Sequence, residues 1–215
     1  MPSTSPLPIF EQADQWFRRA RAALLEALPC RDGCSRCCIG PFPITMLDVD
    51  ELQRGMATLP TEKRAAILER AVRQTTTIRA AYPQLGDDRT LDGWSDHAID
   101  ELVSRFADLP CPALQDDGSC GIYPSRPVTC RTMGIPVETA GVMSGACEVQ
   151  TSVPLVRLPR SIRDEEDRFA EQEARAIAMR QETRHESGEE VLLTFGFLPG
   201  TSTRELDSIG KAVLR

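Results

Sequence analysis

Apolar residues recur at helical spacing over residues 7–28. Ile9, Phe10, Ala13, Trp16, Phe17, Ala20, Leu24, Ala27 and Leu28 form the stripe, and Arg18, Arg19 and Arg21 fall mostly off it. The pattern predicts an amphipathic helix facing a core. Pro29, which lacks an N–H, ends it. Thr45 is an N-cap candidate for a second helix with Leu47, Val49, Leu52 and Met56 inside. Asp48 stands three residues on, where its carboxylate reaches back to the cap N–H. A third helix follows Pro60, with Ala65, Ile67, Leu68, Ala71, Val72 and Ile78 on its inner side, and Tyr82-Pro83 closes it.

Residues 84–93 read as polar turns. A short helix over 95–107 then carries Ile99, Leu102, Val103 and Phe106, and Asp108-Leu109-Pro110 stops it. Further on, Ser161 begins a last long, highly charged helix to His185. Asp164 is its capping-box partner, and Ile162, Phe169, Ala170, Ala176 and Ile177 make a thin apolar face. The tail from Val191 to Leu198 is apolar and fits either a strand or a buried segment. The expected fold is mainly α: a small helical domain wrapping a cysteine-rich metal-binding loop region, with little β. It divides into a cysteine-cluster domain over 1–160, which includes the N-terminal helix, and a charged helix and apolar tail over 161–215 packed on the same domain.

Composition narrows the function. The chain has 215 residues, and its 41% hydrophobic content suffices for a core. The net charge of -7 argues against a general nucleic-acid or anionic-membrane binder. The first residues carry no Lys or Arg and no continuous apolar run, so no signal peptide is expected, and no stretch reads as a membrane span. The expected location is cytoplasmic. Thiols stay reduced there, so the eight cysteines read better as metal ligands than as four disulfides.

Those cysteines fall in two groups. Cys30, Cys34, Cys37 and Cys38 occupy nine residues with the spacing C-x3-C-x2-C-C; Cys111, Cys120, Cys130 and Cys147 follow in a second loop region. Thiolates packed this densely repel, and a bound metal neutralises them. A site drawing on both groups would staple the chain across a long loop, making metal binding part of folding. Structural zinc usually shows paired C-x2-C knuckles, and here Cys34–Cys37 is the only such pair. The uneven spacing fits an iron–sulfur cluster better. In the second region Asp117-Gly118 signals a hairpin turn, and Pro124 and Pro127 deny long regular structure. Arg126 and Arg131 bracket Cys130. They are placed to fix the loop by bonds to backbone carbonyls and to donate toward the sulfurs, with Tyr123 packed beside the centre. His97 and His185 lie on expected helices and read as solvated or locally bonded.

The N-terminal cysteine cluster is followed, in order, by Cys-Pro-Ala-Leu at 111–114, Asp-Gly-Ser-Cys-Gly-Ile-Tyr-Pro-Ser-Arg-Pro at 117–127 and Cys-Arg at 130–131. In this the chain resembles the YkgJ-type cysteine-cluster (CxxCxxCC) family over roughly residues 25–150. Members are described as zinc- or iron-chelating and are often labelled iron–sulfur oxidoreductases; a flagellin lysine methylase with a similar cysteine set carries a four-iron cluster. Many members begin C-x2-C where this chain has Cys30-x3-Cys34. The resemblance implies a cysteine-ligated metal, with all eight cysteines as candidates. The expected cofactor is an iron–sulfur cluster of the [4Fe–4S] type, used in redox or substrate-activating chemistry; the alternative is zinc in a structural or protein-interaction module. Cys30-x3-Cys34-x2-Cys37 also matches the radical S-adenosylmethionine motif. Here, however, it follows a helix rather than a barrel strand, and no βα alternation succeeds it. No phosphate loop, G-x-S-x-G or H-E-x-x-H is present. The partner is left open as a protein or small molecule, with neither nucleic acid nor membrane expected.

Overall fold

The computed structural model describes residues 8–24, 34–85, 89–135, 137–139, 142–144, 159–184 and 188–201. The chain is mainly α, as the apolar spacing predicts. In order come α1 (Pro8–Leu24), β1 (Pro43–Thr45), α2 (Met46–Thr58), α3 (Thr61–Ala81), α4 (Asp96–Arg105), α5 (Val128–Thr132), β2 (Val137–Thr139), β3 (Val142–Ser144), α6 (Arg160–Arg184), β4 (Glu190–Leu192) and α7 (Leu193–Gly196). Single 3₁₀ turns occur at Arg36–Cys38, Pro83–Leu85 and Tyr123–Ser125. No described helix is long and apolar enough to cross a membrane. The chain folds as two units, Met1–Cys38 with Leu114–His185, and Ile39–Ala113 with Glu186–Arg215.

In the first unit α1 packs on α5 and α6. The predicted stripe is the buried one. Ile9, Phe10 and Ala13 meet Val128 and Phe169, while Trp16 and Ala20 meet Ile135, with Phe17 and Ile162 at the edge. The Trp16 indole N–H donates to the Ile162 carbonyl at 3.0 Å, so the buried ring keeps its polar atom satisfied. Ala27 and Leu28 lie outside the described residues. The long charged helix begins at Arg160 rather than at a Ser161 cap. Ile162 and Arg163 donate to the Pro159 carbonyl, which places Ser161 inside the first turn. Its apolar face is thinner than expected, because Ala170 is exposed and Phe169 alone of the five is buried. Antiparallel β2 and β3 pair Val137 with Ser144 and Thr139 with Val142.

In the second unit the apolar tail resolves into both structures it suggested. Residues 190–192 form β4, antiparallel to β1 with Ile44 opposite Val191, and α7 follows at once. Every residue from Val191 to Leu198 is buried. Ile44, Leu52, Ile78, Leu85, Leu102, Phe195 and Phe197 are among the fully buried side chains of this core. The α2 capping box is present as read: the Asp48 N–H donates to Thr45 Oγ1 at 3.3 Å, and the Thr45 N–H donates to Asp48 Oδ2 at 3.1 Å. The inner face of α3 is narrower than predicted. Ile67, Ala71 and Ile78 are buried, but Ala65 is exposed and Val72 is 47% exposed. Neighbouring helical positions are turned 100° apart, so Ala71 and Val72 cannot both point inward. Thr75 takes the buried position instead, because its hydroxyl donates to the Ala71 carbonyl at 2.8 Å.

Candidate metal centre

The first cysteine group is held by a tight turn. Cys34 precedes the 3₁₀ turn Arg36–Cys38, which the Cys38 N–H closes onto the Ser35 carbonyl at 2.9 Å. Cys34, Cys37 and Cys38 are each half-buried. Within a single turn they cannot separate far, and the side chains of Cys37 and Cys38 hydrogen-bond to each other.

The second group is presented by a hairpin-like turn. Leu114 and Cys120 bridge antiparallel around Asp117-Gly118, where Gly118 adopts φ 81°, a conformation natural to glycine. The Ser119 N–H donates to Asp117 Oδ1 at 2.9 Å, and the Gln115 and Ser119 backbones bond at 2.9 Å. This is the turn Asp117-Gly118 predicts. The chain then passes through the 3₁₀ turn Tyr123–Ser125, and the Ile122 backbone N–H donates to the Cys120 sulfur. Pro127 starts α5, with Cys130 at its centre. Cys120 and Cys130 are half-buried too.

An acidic residue on α1 locks this loop. Asp14 accepts from Arg126 Nη2 at 2.9 Å and from Arg131 Nη1. Arg131 is 3% exposed and makes the carbonyl bonds its position suggested, from Nε to Arg126 at 2.8 Å and from Nη2 to Pro124 at 2.7 Å. All three of its nitrogens therefore bond oxygen. Arg126 differs. Its guanidinium lies 3.8 Å from the centre of the Tyr123 ring, and its Nε and Nη1 are buried without a hydrogen-bond partner among the described residues. Tyr123 is 60% exposed, so it serves as an outer plate for Arg126 rather than as interior packing.

The thiols sense these neighbours. The Cys38 hydrogen bond lowers the Cys37 thiol from 9.0 to about 7, against the opposing push of burial, and the Arg126 charge helps. Burial pushes Cys120 up, resisted by the Ile122 N–H and the Arg126 charge; the Cys37 charge raises it further. Cys37, Cys120 and Arg126 thus form one electrostatic group drawn from both cysteine regions.

The remaining candidates are placed differently. Cys111 is half-buried and belongs to the second unit. Cys30, Cys147 and His185 lie outside the described residues. His97 is exposed on α4. Among the described residues no three His, Cys, Asp or Glu side chains stand together as a ready-made metal site. The donor chemistry nevertheless fits a thiophilic metal. Thiols from two loops act on one another, one is half-ionised near neutral pH, and an N–H and a guanidinium offset their charge. In the first unit Cys34, Cys37, Cys38, Cys120 and Cys130 are the described residues that would hold it. Asp14 is the contributor that sequence reasoning missed. It looks like one more polar residue of an amphipathic helix, and only its position beside the buried face of α1 hinted at more.

The chain matches the family model CxxCxxCC, "Putative zinc- or iron-chelating domain", over residues 29–148. It belongs to the CxxCxxCC family. Membership makes it a cysteine-cluster, metal-binding protein, and the matched span contains all eight cysteines together with Tyr123, Arg126 and Arg131. No curated protein and no solved structure matches the chain.

Proposed function

We propose that this CxxCxxCC protein holds an iron–sulfur cluster, of the [4Fe–4S] type, used in redox or substrate-activating chemistry. The observation that carries this reading is the positive charge of Arg126 acting on both Cys37 and Cys120, together with the Ile122 N–H donated to the Cys120 sulfur. Donors and cations beside thiolates favour the more negative, reduced form of a centre, which matters where the centre changes charge. Eight cysteines also exceed the four thiolates that one zinc ion or one four-iron cluster needs. Such a cluster supplies one-electron transfer or an iron site for a substrate. The chain's own residues position the thiols, offset their charge and close the loops around them. A cytoplasmic setting and a protein or small-molecule partner accompany this reading, and the clustered cysteines of a metal-binding family and the net charge of -7 fit it.

Zinc in a structural module is the second reading, favoured by the Cys34–Cys37 knuckle spacing. One experiment separates the two: anaerobic purification with iron, zinc and sulfide analysis, then absorption and electron paramagnetic resonance before and after dithionite. A brown protein with iron, sulfide and a signal that responds to dithionite is expected. Stoichiometric zinc, no iron and no signal in either state would leave the structural module.

A further inference from the structure

We infer that Arg126 is the positioning residue of the metal centre, its two unpartnered N–H groups serving the sulfur atoms, and that Asp14 on α1 holds it in place. The inference rests on the metal-binding reading of the cysteines but not on the identity of the metal.

The two arginines that bracket Cys130 look equivalent in the sequence, and the structure separates them. Arg131 has every nitrogen bonded to a carbonyl or to Asp14, so its role is to fix the loop. Arg126 is fixed by one nitrogen only, through Nη2 on Asp14, and by its face on Tyr123. Its Nε and Nη1 are buried and have no hydrogen-bond partner, oxygen or sulfur, among the described residues. Leaving a buried donor unpaired is costly, and more so on a charged group. Such an atom is therefore retained where something else accepts from it. The acceptors its own loop supplies are sulfurs: Arg126 sits between Cys120 and Cys130 in the chain, and its charge is felt at Cys37 and at Cys120, one from each loop. Metal-bound thiolates and cluster sulfides are the stronger acceptors, so the bonds form when the centre is loaded. Asp14 then matters to the centre without touching it: it orients the guanidinium and balances one of the two positive charges.

The full-length chain is loaded with zinc and, separately, with iron and sulfide under anaerobic conditions. Release of zinc to a coloured chelator is followed for the parent, Arg126→Met, Arg126→Lys, Asp14→Asn and the double variant Asp14→Asn/Arg126→Met. Far-UV circular dichroism checks the fold. Release from Arg126→Met is expected to quicken by about 10- to 100-fold, the usual cost of losing an outer partner of a metal ligand. Arg126→Lys should fall between, because it keeps the charge without the paired donors. Asp14→Asn should move in the same direction and add nothing to Arg126→Met. If Arg126→Met fails to fold, Arg126→Lys decides alone, by faster release or by none. In the iron-loaded protein the Arg126 variants should lower the reduction potential. Parent-like release from Arg126→Met, or from Arg126→Lys where it decides, would overturn the assignment, and an additive double variant would overturn the role of Asp14. A chain that takes zinc but no iron defeats the iron–sulfur reading and leaves the zinc release rates to decide the role of Arg126.

Discussion

Asp14 and Arg126 stand 112 residues apart in the chain and meet at 2.9 Å. The same carboxylate reaches Arg131, so one side chain of α1 holds both arginines of the second cysteine loop. The apolar stripe of α1 and this ion cluster act together, since Arg131 also lies 5.2 Å from the centre of the Phe10 ring. The loop that carries Cys120 and Cys130 is thereby tied to the N-terminal helix before any metal is considered.

Removing that carboxylate should be costly. Asp14→Ala takes a carboxylate partner from Arg131, which is 3% exposed. The expected loss is about 2–4 kcal/mol of unfolding free energy, between a charged hydrogen bond and a broken buried pair. Denaturant unfolding of the metal-free, reduced chain measures it. A loss below about 0.5 kcal/mol would mean the cluster behaves like a surface pair.

Replacing Cys37 or Cys120 by Ser should cost most of the bound metal, because each removes a thiolate from the electrostatic group that joins the two loops. Cys34→Ser should act in the same direction. Metal analysis of purified protein is the measurement, and parent-like content in all three would refute ligation by this set.

The metal-free, reduced chain should show an acidic thiol. Alkylation of Cys37 should rise with a midpoint near about 7, well below Cys120, whose burial raises it. Cys38→Ala should move the Cys37 midpoint back toward 9.0, since the Cys38 hydrogen bond is the main cause of the shift. The folded value of Cys37 lies below its ordinary 9.0, so its contribution is full above 9.0 and is lost as pH falls through about 7. Cys120 runs the other way, with a contribution present below its ordinary 9.0 and lost as pH rises past it. Residue-resolved mass spectrometry of alkylated protein across pH 6–10, roughly the span of perturbed and ordinary thiols, tests both.

The α2 cap offers a test away from the metal. Thr45→Ala should cost about 1 kcal/mol, and Asp48→Ala a similar amount. The two bonds are reciprocal, so the double variant should lose less than the sum. Strict additivity in denaturant unfolding would show that the bonds act independently.

Much of this protein is determined by residues close together in the chain. The α1 stripe, the Thr45–Asp48 box, the Tyr82-Pro83 stop and the Asp117-Gly118 turn are local: each depends on spacing, φ preference or a bond spanning a few residues. The cysteine spacing likewise announces metal, because thiols this dense need a neutralising partner. The tertiary structure decided what depends on long-range packing. It chose Thr75 over Val72 for the inside of α3, because a hydroxyl that bonds its own helix is cheap to bury. It split Val191–Leu198 into a strand that pairs with β1 and a buried turn of helix, a choice set by a partner strand far away in the chain. It also distinguished Arg126 from Arg131, which are alike in sequence and differ only in what surrounds their nitrogens. Periodicity reports which way a side chain faces; it carries no information about which residue of a distant segment stands opposite, and for Asp14 that opposite residue is the whole of its role.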